Sequence, residues 1–406
     1  MTEKRIKPEL LSPVRDRVSL VAAISAGADA VYFGVGNLNM RSNSKGITLE
    51  SLADVVKVAH DQGVKVYVTL NTIIYNEEFP ELDAILAAVA SADVDAIICW
   101  DIAVIQRVKA LGVPFHISTQ ASISNIDAAR FYIELGAERF VAARELSLEQ
   151  ISAIRKAVNA EIEVFCHGAM CVSVSGRCFI SEFLHGRSAN KGECLQPCRA
   201  EYHVTDPDSG KELVVGNNYI MSPKDLCTLP VIDRMIEAGI DSFKIEGRSR
   251  APEYVASVTK AYRRAIDAYF SGNYNQQLVD ELITEVEKVY NRGFSQGFLM
   301  GKPTVNDWAD RYGSAASQKK VFCGKVINYF KKAGVAYAGI TSQPLSVGDT
   351  IQVHGETTGI IEFKIESLLD EQSQVISTAS KCKTTFPCPE LIRRNDDIYR
   401  IVTDEK

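Results

Sequence analysis

The feature of this sequence that most constrains its fold is a regular alternation, from Pro8 to about Gly272, of short apolar runs with longer stretches of helical period. This alternation is typical of repeated βα units around a parallel sheet. Eight units in about 250 residues match the size of a (β/α)8 barrel. The eight predicted strands are Glu9–Ser12, Ala30–Gly34, Lys65–Leu70, Ala96–Trp100, Pro114–Ser118, Arg139–Ala142, Glu161–Cys166 and Asp241–Ile245.

An open, doubly wound α/β sheet is the competing architecture. Its dinucleotide-binding form carries Gly-x-Gly-x-x-Gly in the first βα turn, whereas this chain has only the pair Gly34-Val-Gly36 at that place. We therefore expect the TIM-like barrel form of the α/β class. The predicted helices are Leu52–Gln62, Glu81–Ser91, Ala103–Leu111, Ile126–Leu135, Leu148–Val158, Leu229–Ala238, Pro252–Phe270 and Gln276–Tyr290.

The rhythm of the barrel breaks between the seventh and eighth predicted strands, and the pattern changes again near the C-terminus. The first break is a Cys-rich insertion at residues 169–227, inside a barrel domain of residues 1–272. A helical connector follows at residues 273–318. From Lys319 short alternating strands with turns predict a small C-terminal β-barrel domain at residues 319–406.

Charge and hydropathy limit where such a chain works. With 45 basic and 51 acidic side chains, the formal charge of −6 offers no overall attraction to nucleic acid, so any RNA partner needs a local basic patch. The most apolar long segment, Leu82–Trp100, contains Asp83, Asp93 and Asp95, which are expensive inside a bilayer. The charged start is followed by no apolar run, so we expect no secretory signal, no membrane contact and a cytoplasmic protein.

Cysteines are concentrated in the insertion. The chain has ten, and six of them lie in the 62-residue window from Cys166 to Cys227. In a large cytosolic chain such clustering favours metal or redox chemistry over disulfides, although buried free thiols are the alternative reading. Spacing alone leaves zinc and iron–sulfur open. The candidate metal ligands are Cys171, Cys178, Cys194, Cys198 and Cys227.

Polar side chains follow the predicted strands at the end where such barrels place their chemistry. Arg144 and Arg248 are candidates to clamp carboxylates or phosphates, since guanidinium groups bind both in a bidentate way. His167, Glu145 and Glu246 are the candidate catalytic acids and bases. For each residue a purely structural role is the alternative. Further polar residues at the same end are Asn71, Asp101 and Gln120.

Two further patterns concern the substrate class. The sequence contains neither His-Glu-x-x-His nor Gly-x-Ser-x-Gly. Cys166 and His167 are strand neighbours expected to face opposite sides, so their adjacency does not make a catalytic dyad. Short basic stretches are candidate RNA contacts, with solvated surface as the alternative. They are Arg187 to Arg199, Arg248 to Arg264, Lys331-Lys332 and Arg393-Arg394.

The chain resembles the collagenase-like peptidase family, the peptidases of unknown type numbered thirty-two. The resemblance covers about Pro8 to Tyr262, and the β-rich tail resembles the family's C-terminal domain. Its main motif is Glu163-Val-Phe-x-His-Gly-Ala-Met-Cys-x4-Gly-Arg-Cys-x2-Ser. The other matching motifs are Gln120-Ala-Ser, Ala143-Arg-Glu-Leu-Ser-Leu148, Gly192-x-Cys-x3-Cys-Arg, Ser222-Pro-Lys-Asp-Leu226 and Asp241-Ser-Phe-Lys-Ile-Glu-Gly-Arg248.

The resemblance implies several activities. Some members are described as collagenases, and others act in tRNA wobble-uridine 5-hydroxylation, rRNA cytidine hydroxylation or ubiquinone hydroxylation. In the hydroxylation branches four cysteines hold a [4Fe-4S] cluster, and prephenate is the implied co-substrate of the RNA enzymes. By position Cys171, Cys178 and Cys194 are shared ligands, and the fourth is either Cys198 or Cys227.

From this resemblance we expect a tRNA-modifying enzyme that performs prephenate-dependent 5-hydroxylation of wobble uridine with an iron–sulfur cluster. Its partners would be tRNA and a small dicarboxylate, and a homo-oligomer or a hetero-oligomer with a family paralogue is also possible. The alternatives are a collagenase-like peptidase and a zinc-stabilised RNA-binding protein without turnover. Metal identity separates the first reading from the other two.

Overall fold

A computed structural model of the chain describes residues 6–42, 46–212 and 219–403. Its first part is a closed barrel of eight parallel strands, in which β1 pairs with both β2 and β9, and β7 pairs with β9. The predicted TIM-like barrel is thereby confirmed. The strands are β1 (Glu9–Pro13), β2 (Ala30–Gly34), β3 (Lys65–Leu70), β4 (Ala96–Cys99), β5 (Phe115–Ile117), β6 (Arg139–Val141), β7 (Glu161–Gly168), β8 (Asp225–Cys227) and β9 (Ser242–Ile245), of which β8 is not a barrel strand.

Helices between the strands bury one face against the outside of the barrel. Local sequence starts several of them: Asp16 and Ser147 form capping boxes, and Asp101 and Asn125 accept N-cap hydrogen bonds. None of the described helices is both long and apolar enough to cross a membrane. The helices are α1 (Arg17–Ser25), α2 (Leu52–His60), α3 (Phe79–Ser91), α4 (Ile102–Leu111), α5 (Ile126–Glu134), α6 (Leu148–Ala157), α7 (Ile180–His185), α8 (Ile232–Glu237), α9 (Pro252–Phe270) and α10 (Gln276–Glu287).

The interior of the barrel holds buried charges in addition to apolar side chains. Lys244 Nζ lies 2.6 Å from Glu163 Oε1, and Arg139 Nη1 lies 3.1 Å from Glu163 Oε2. Burial by itself would raise the pKa of Glu163, but the two cations hold it below its ordinary value. A second acid, Glu9 of β1, lies 2.5 Å from Arg139. These ion pairs join β1, β6, β7 and β9 across the barrel.

The Cys-rich insertion lies between β7 and β9, as predicted. It is built from short turns of 3₁₀ helix, the helix α7, and the strand β8, which the sequence did not predict. β8 runs antiparallel to the end of β7, with Cys227 opposite His167. The insertion is therefore attached to the barrel at the C-terminal end of a barrel strand.

The C-terminal part is β-rich, as expected, and has its own apolar core. Its eight-stranded antiparallel sheet runs in the order β15-β14-β20-β11-β12-β19-β16-β17, so β15 and β17 are the end strands. Lys320 of this part forms an ion pair of 2.8 Å with Glu253 of α9, which connects the sheet to the barrel domain. Before this part, β10 (Phe294–Ser295) pairs with β8 at the edge of the barrel sheet. The strands of the C-terminal part are β11 (Gln318–Phe330), β12 (Val335–Ile340), β13 (Leu345–Ser346), β14 (Thr350–Gly355), β15 (Gly359–Lys364), β16 (Leu368–Leu369), β17 (Val375–Ile376), β18 (Thr378–Ala379), β19 (Lys383–Pro387) and β20 (Asp397–Thr403).

Candidate functional site

A cavity of about 380 Å³ lies at the C-terminal end of the barrel strands, between the barrel and the insertion. The barrel contributes polar residues that directly follow its strands, such as Asn71 after β3 and Glu246 after β9. The insertion contributes the opposite wall. This is the end of the barrel at which TIM-like enzymes place their active sites.

Three arginines surround one carboxylate in this cavity. Arg41 Nη2 lies 2.7 Å from Glu246 Oε1, and Arg144 Nη2 lies 3.8 Å from Glu246 Oε2. Burial would raise the pKa of Glu246, but the charges of Arg41, Arg144 and Arg248 bring it to about 2. Glu246 is therefore ionised at neutral pH, and the group keeps an excess of positive charge.

Neighbouring residues hold two of these arginines in fixed positions. The guanidinium of Arg144 lies 3.7 Å from the centre of the Phe165 ring and donates a 2.8 Å hydrogen bond to the carbonyl of Ala169. Arg248 donates hydrogen bonds to Asn39 Oδ1 (3.1 Å) and Thr69 Oγ1 (2.6 Å), and burial lowers its pKa to about 10. Fixed, water-poor guanidinium groups are suited to carboxylates and phosphates.

Four cysteines of the insertion line the same cavity: Cys171, Cys178, Cys194 and Cys198. Burial raises the pKa of the Cys198 thiol, against the charge of Arg199. Arginines lie beside them as well. Arg41, Arg144 and Arg199 line the cavity together with the four cysteines.

The four cysteines line the cavity from the side of the insertion. Within residues 6–42, 46–212 and 219–403, no group of three or more Cys, His, Asp or Glu side chains is arranged to hold a single metal ion. Cys171 and Cys194 are exposed, and Cys178 and Cys198 are half-buried. The loops that carry them are fixed at several points, for instance where Arg199 donates to the carbonyls of Met170 and Pro223.

Cys227, the fifth predicted ligand, does not join this group. It is buried in the apolar core, its Sγ lies 3.9 Å from the hydroxyl of Tyr262, and burial raises its pKa to about 11. Antiparallel pairing of β8 with β7 directs it there. Of the two alternatives for a fourth ligand, the structure brings Cys198 to the cavity.

His167, predicted as a catalytic acid or base, also lies outside the cavity lining. Strand alternation would place it on the same side as Glu163 and Phe165, but the register of β7 against β9 shifts between Phe165 and His167. The imidazole is buried among aromatic rings, 3.3 Å from the Tyr262 hydroxyl, and burial lowers its pKa to about 3. It is a neutral core residue at physiological pH.

The other predicted polar residues divide into two groups. Glu145 lines the cavity and accepts a hydrogen bond from the backbone N–H of Ser175 (3.4 Å), which joins the barrel to the insertion. Asn71 and Gln120 also line it, linked by a 3.2 Å hydrogen bond. Asp101 instead caps α4 and accepts from Ile74, so its role is structural.

The predicted basic stretches are only partly available to a ligand. Arg263 is paired with Asp29 and Asp267, and Arg187 is paired with Glu193 at 3.1 Å. Arg393 donates to Thr358, whereas Lys331, Lys332 and Arg394 are exposed. Arg41 was not singled out by sequence reasoning, because it belongs to a loop after β2 that carries no motif; its ion pair with Glu246 spans 205 residues.

The comparisons with known proteins agree with the resemblance noted in the sequence. A "Collagenase" of Porphyromonas gingivalis is 42% identical over 404 residues, 97% of each chain. The "tRNA hydroxylation protein P1" of Bacillus subtilis is 36% identical over 383 residues, 92% of this chain and 89% of that one. The "23S rRNA 5-hydroxycytidine C2501 synthase" of Escherichia coli is 36% identical over 387 residues, 92% of this chain and 57% of that one. Since the model of "Peptidase family U32" also matches residues 16–309, the chain belongs to peptidase family U32.

Proposed function

We propose that this protein is a tRNA-modifying enzyme of the cytoplasm that hydroxylates C5 of the wobble uridine, with a [4Fe-4S] cluster and with prephenate as co-substrate. The observation that carries the proposal is the joint lining of one cavity by four cysteines and four arginines. Cys171, Cys178, Cys194 and Cys198 would hold the cluster. Arg41, Arg144 and Arg248 would bind the anionic co-substrate.

The arrangement of the thiols supports a cluster over a zinc ion. A zinc ion needs all its sulfurs at about 2.3 Å from one point. In a [4Fe-4S] cluster four cysteine thiolates bind at separate irons, so the sulfurs stand around the group. Four cysteines line one cavity, and no three Cys, His, Asp or Glu side chains among the described residues are arranged around a single ion, which fits the second arrangement. When bound, the cluster would supply one-electron redox chemistry.

The arginines of the cavity favour an anionic small molecule as the co-substrate. Prephenate carries two carboxylates, and the cavity is lined by four arginines and Lys244 against the two carboxylates of Glu145 and Glu246. Their fixed hydrogen bonds reduce the entropy lost when a ligand binds.

Two relatives named for RNA hydroxylation support the choice of substrate. The relative named as a collagenase supports peptide hydrolysis as the alternative. A cysteine peptidase needs a base beside its thiol. His167 does not fill that role, since it is buried outside the cavity, and no histidine is among the described residues that line the cavity.

The experiment that tests the proposal compares tRNA from cells with and without the gene. Nucleoside mass spectrometry should detect 5-hydroxyuridine or its derivatives in the parent strain, and their loss should be reversed by the wild-type gene but not by Cys178→Ala. Prephenate labelled with ¹⁸O at its hydroxyl should transfer the label to the nucleoside with purified protein. An unchanged nucleoside profile, together with peptide cleavage by iron-free protein, would overturn the proposal.

A further inference from the structure

The insertion exposes an unusual set of large apolar side chains, which we call the rim patch. Phe183 of α7 is 89% exposed and Phe179 is 74% exposed, although α7 is part of an ordered segment with fixed hydrogen bonds. Exposed apolar groups collected on one segment of a soluble protein mark an interaction surface. The members of the rim patch are Val172, Val174, Phe179, Phe183, Leu184 and Leu195.

The rim patch is continuous with the mouth of the cavity. Val172 and Val174 line the cavity and are also exposed, so they belong to both surfaces. Leu195 is joined to α7 by a 3.0 Å hydrogen bond from its backbone N–H to Ser181 Oγ. A molecule that rests on the rim patch is therefore adjacent to the cysteines and arginines of the cavity.

The charge of this segment differs from that of the whole chain. Residues 171–199 carry four basic and two acidic side chains, whereas the chain has a formal charge of −6. Arg187 pairs with Glu193 and Lys191 pairs with Glu78, so the positive charge beside the patch comes from Arg177. Arg177 is exposed beside the patch, with its guanidinium 5.7 Å from the centre of the Trp100 ring. Accessible aromatic rings combined with local positive charge are the features with which proteins bind single-stranded nucleic acid.

We infer that the rim patch binds the single-stranded RNA nucleotides that flank the modified base, with neighbouring bases stacked on Phe179 and Phe183. This inference rests on the proposed function and assigns the RNA-binding face of the same site. A base must leave its stack to enter the cavity, and its neighbours then lose stacking partners. Exposed phenylalanine rings at the mouth replace those partners without selecting a sequence.

The test measures the affinity of the full-length, cluster-loaded protein for a synthetic RNA hairpin with a uridine-containing loop. Phe179→Ala and Phe183→Ala should each weaken binding by about tenfold, because one base–aromatic stack is lost. Phe183→Trp should keep the affinity, whereas Phe183→Leu should lose it. Phe270→Ala removes a ring that is 39% exposed at the far end of α9 and serves as the matched control, with unchanged affinity expected.

A second readout locates the contact directly. When 5-iodouridine replaces a loop nucleotide next to the target, irradiation should cross-link the RNA to Phe179 or Phe183. Wild-type binding that persists unchanged in the double alanine variant would overturn the inference and leave the proposed function intact. So would a double variant that loses only self-association, since the patch would then bind a second copy of the chain. Absence of any RNA binding by the wild-type protein would overturn both.

Discussion

The charge state of Glu246 depends on the arginines that surround it in the cavity. Its folded pKa of about 2 lies below the ordinary value of 4.5, so ionisation stabilises the folded state above pH 4.5, and this stabilisation is lost as pH falls towards 2. Glu246→Gln should lower the free energy of unfolding by about 3 kcal/mol at neutral pH. The difference from wild type should shrink as the pH is lowered, which denaturant unfolding at several pH values would measure.

Glu145→Gln is the matched control for that variant. Glu145 lines the same cavity but is engaged by the backbone N–H of Ser175 instead of by arginines. Its substitution should change stability by less than about 1 kcal/mol, as expected for one ordinary hydrogen bond. Equal losses for the two variants, or a Glu246→Gln loss that is independent of pH, would show that the three arginines do not act on Glu246 as described.

Cys198 and Cys227 are the two alternatives for the fourth ligand of the cluster, and substituting each of them distinguishes the two. Cys198→Ala should lose most of the iron and sulfide of protein purified without oxygen, because its thiol lies in the cavity with the other three. Cys227→Ala should keep the iron and lose about 1 kcal/mol of stability, because it removes a buried core atom. Iron analysis and thermal unfolding measure both effects. The opposite result would make Cys227 the ligand.

Single residues also show where prediction from the sequence ends. The cysteine pattern is local, so four residues of the cavity could be found from spacing in the insertion. The positions of His167 and Arg41 could not, because one depends on a register shift in β7 and the other on a contact with Glu246 across the barrel. Neither a bulge nor a long-range ion pair leaves a periodic signal in the sequence.

At the scale of elements, the buried charges inside the barrel connect β6, β7 and β9. Glu163→Leu should cost about 3–5 kcal/mol, because the buried Lys244 would lose its carboxylate partner, while Arg139 would keep Glu9. The double variant Glu163→Leu/Lys244→Met should recover part of this loss, since it removes an unpaired cation as well. Urea unfolding of the two variants measures the difference. A double variant less stable than the single one would contradict this account.

The positions of the barrel strands along the chain were the feature of the structure that the sequence predicted best. Barrel strands such as β2 (Ala30–Gly34) and β3 (Lys65–Leu70) match their predicted ranges because buried strands read as continuous apolar runs. The short strand β8 was missed, since three residues cannot establish a period and its pairing with β7 is antiparallel. The turns of the insertion are held by hydrogen bonds between distant segments, which sequence pattern does not encode.

At the scale of the whole molecule, the chain consists of three parts: the barrel, the Cys-rich insertion and the C-terminal sheet. The barrel contributes Arg41, Arg144 and Arg248 to the lining of the cavity. The insertion contributes the four cysteines and the rim patch. The C-terminal sheet packs its end strand β15 close to α1, where Gly359 faces Val21. A Cβ at Gly359 would stand 2.9 Å from Val21 Cγ1, so this contact requires glycine. The sheet is thus held against the barrel and presents its exposed lysines from a fixed position.

An acidic chain that binds tRNA must do so through local basic groups, and Lys331 and Lys332 are exposed in the turn between β11 and β12. Lys331→Glu/Lys332→Glu should weaken tRNA affinity and lower the salt dependence of log Kd by about two, because two phosphate contacts are lost. Lys57→Glu/Lys109→Glu, in the last turns of α2 and α4, makes the same charge change at the opposite end of the barrel. Titrations at several salt concentrations should separate the two variants. Equal weakening by both would mean that net charge alone governs binding, and would remove the C-terminal sheet from the RNA-binding surface.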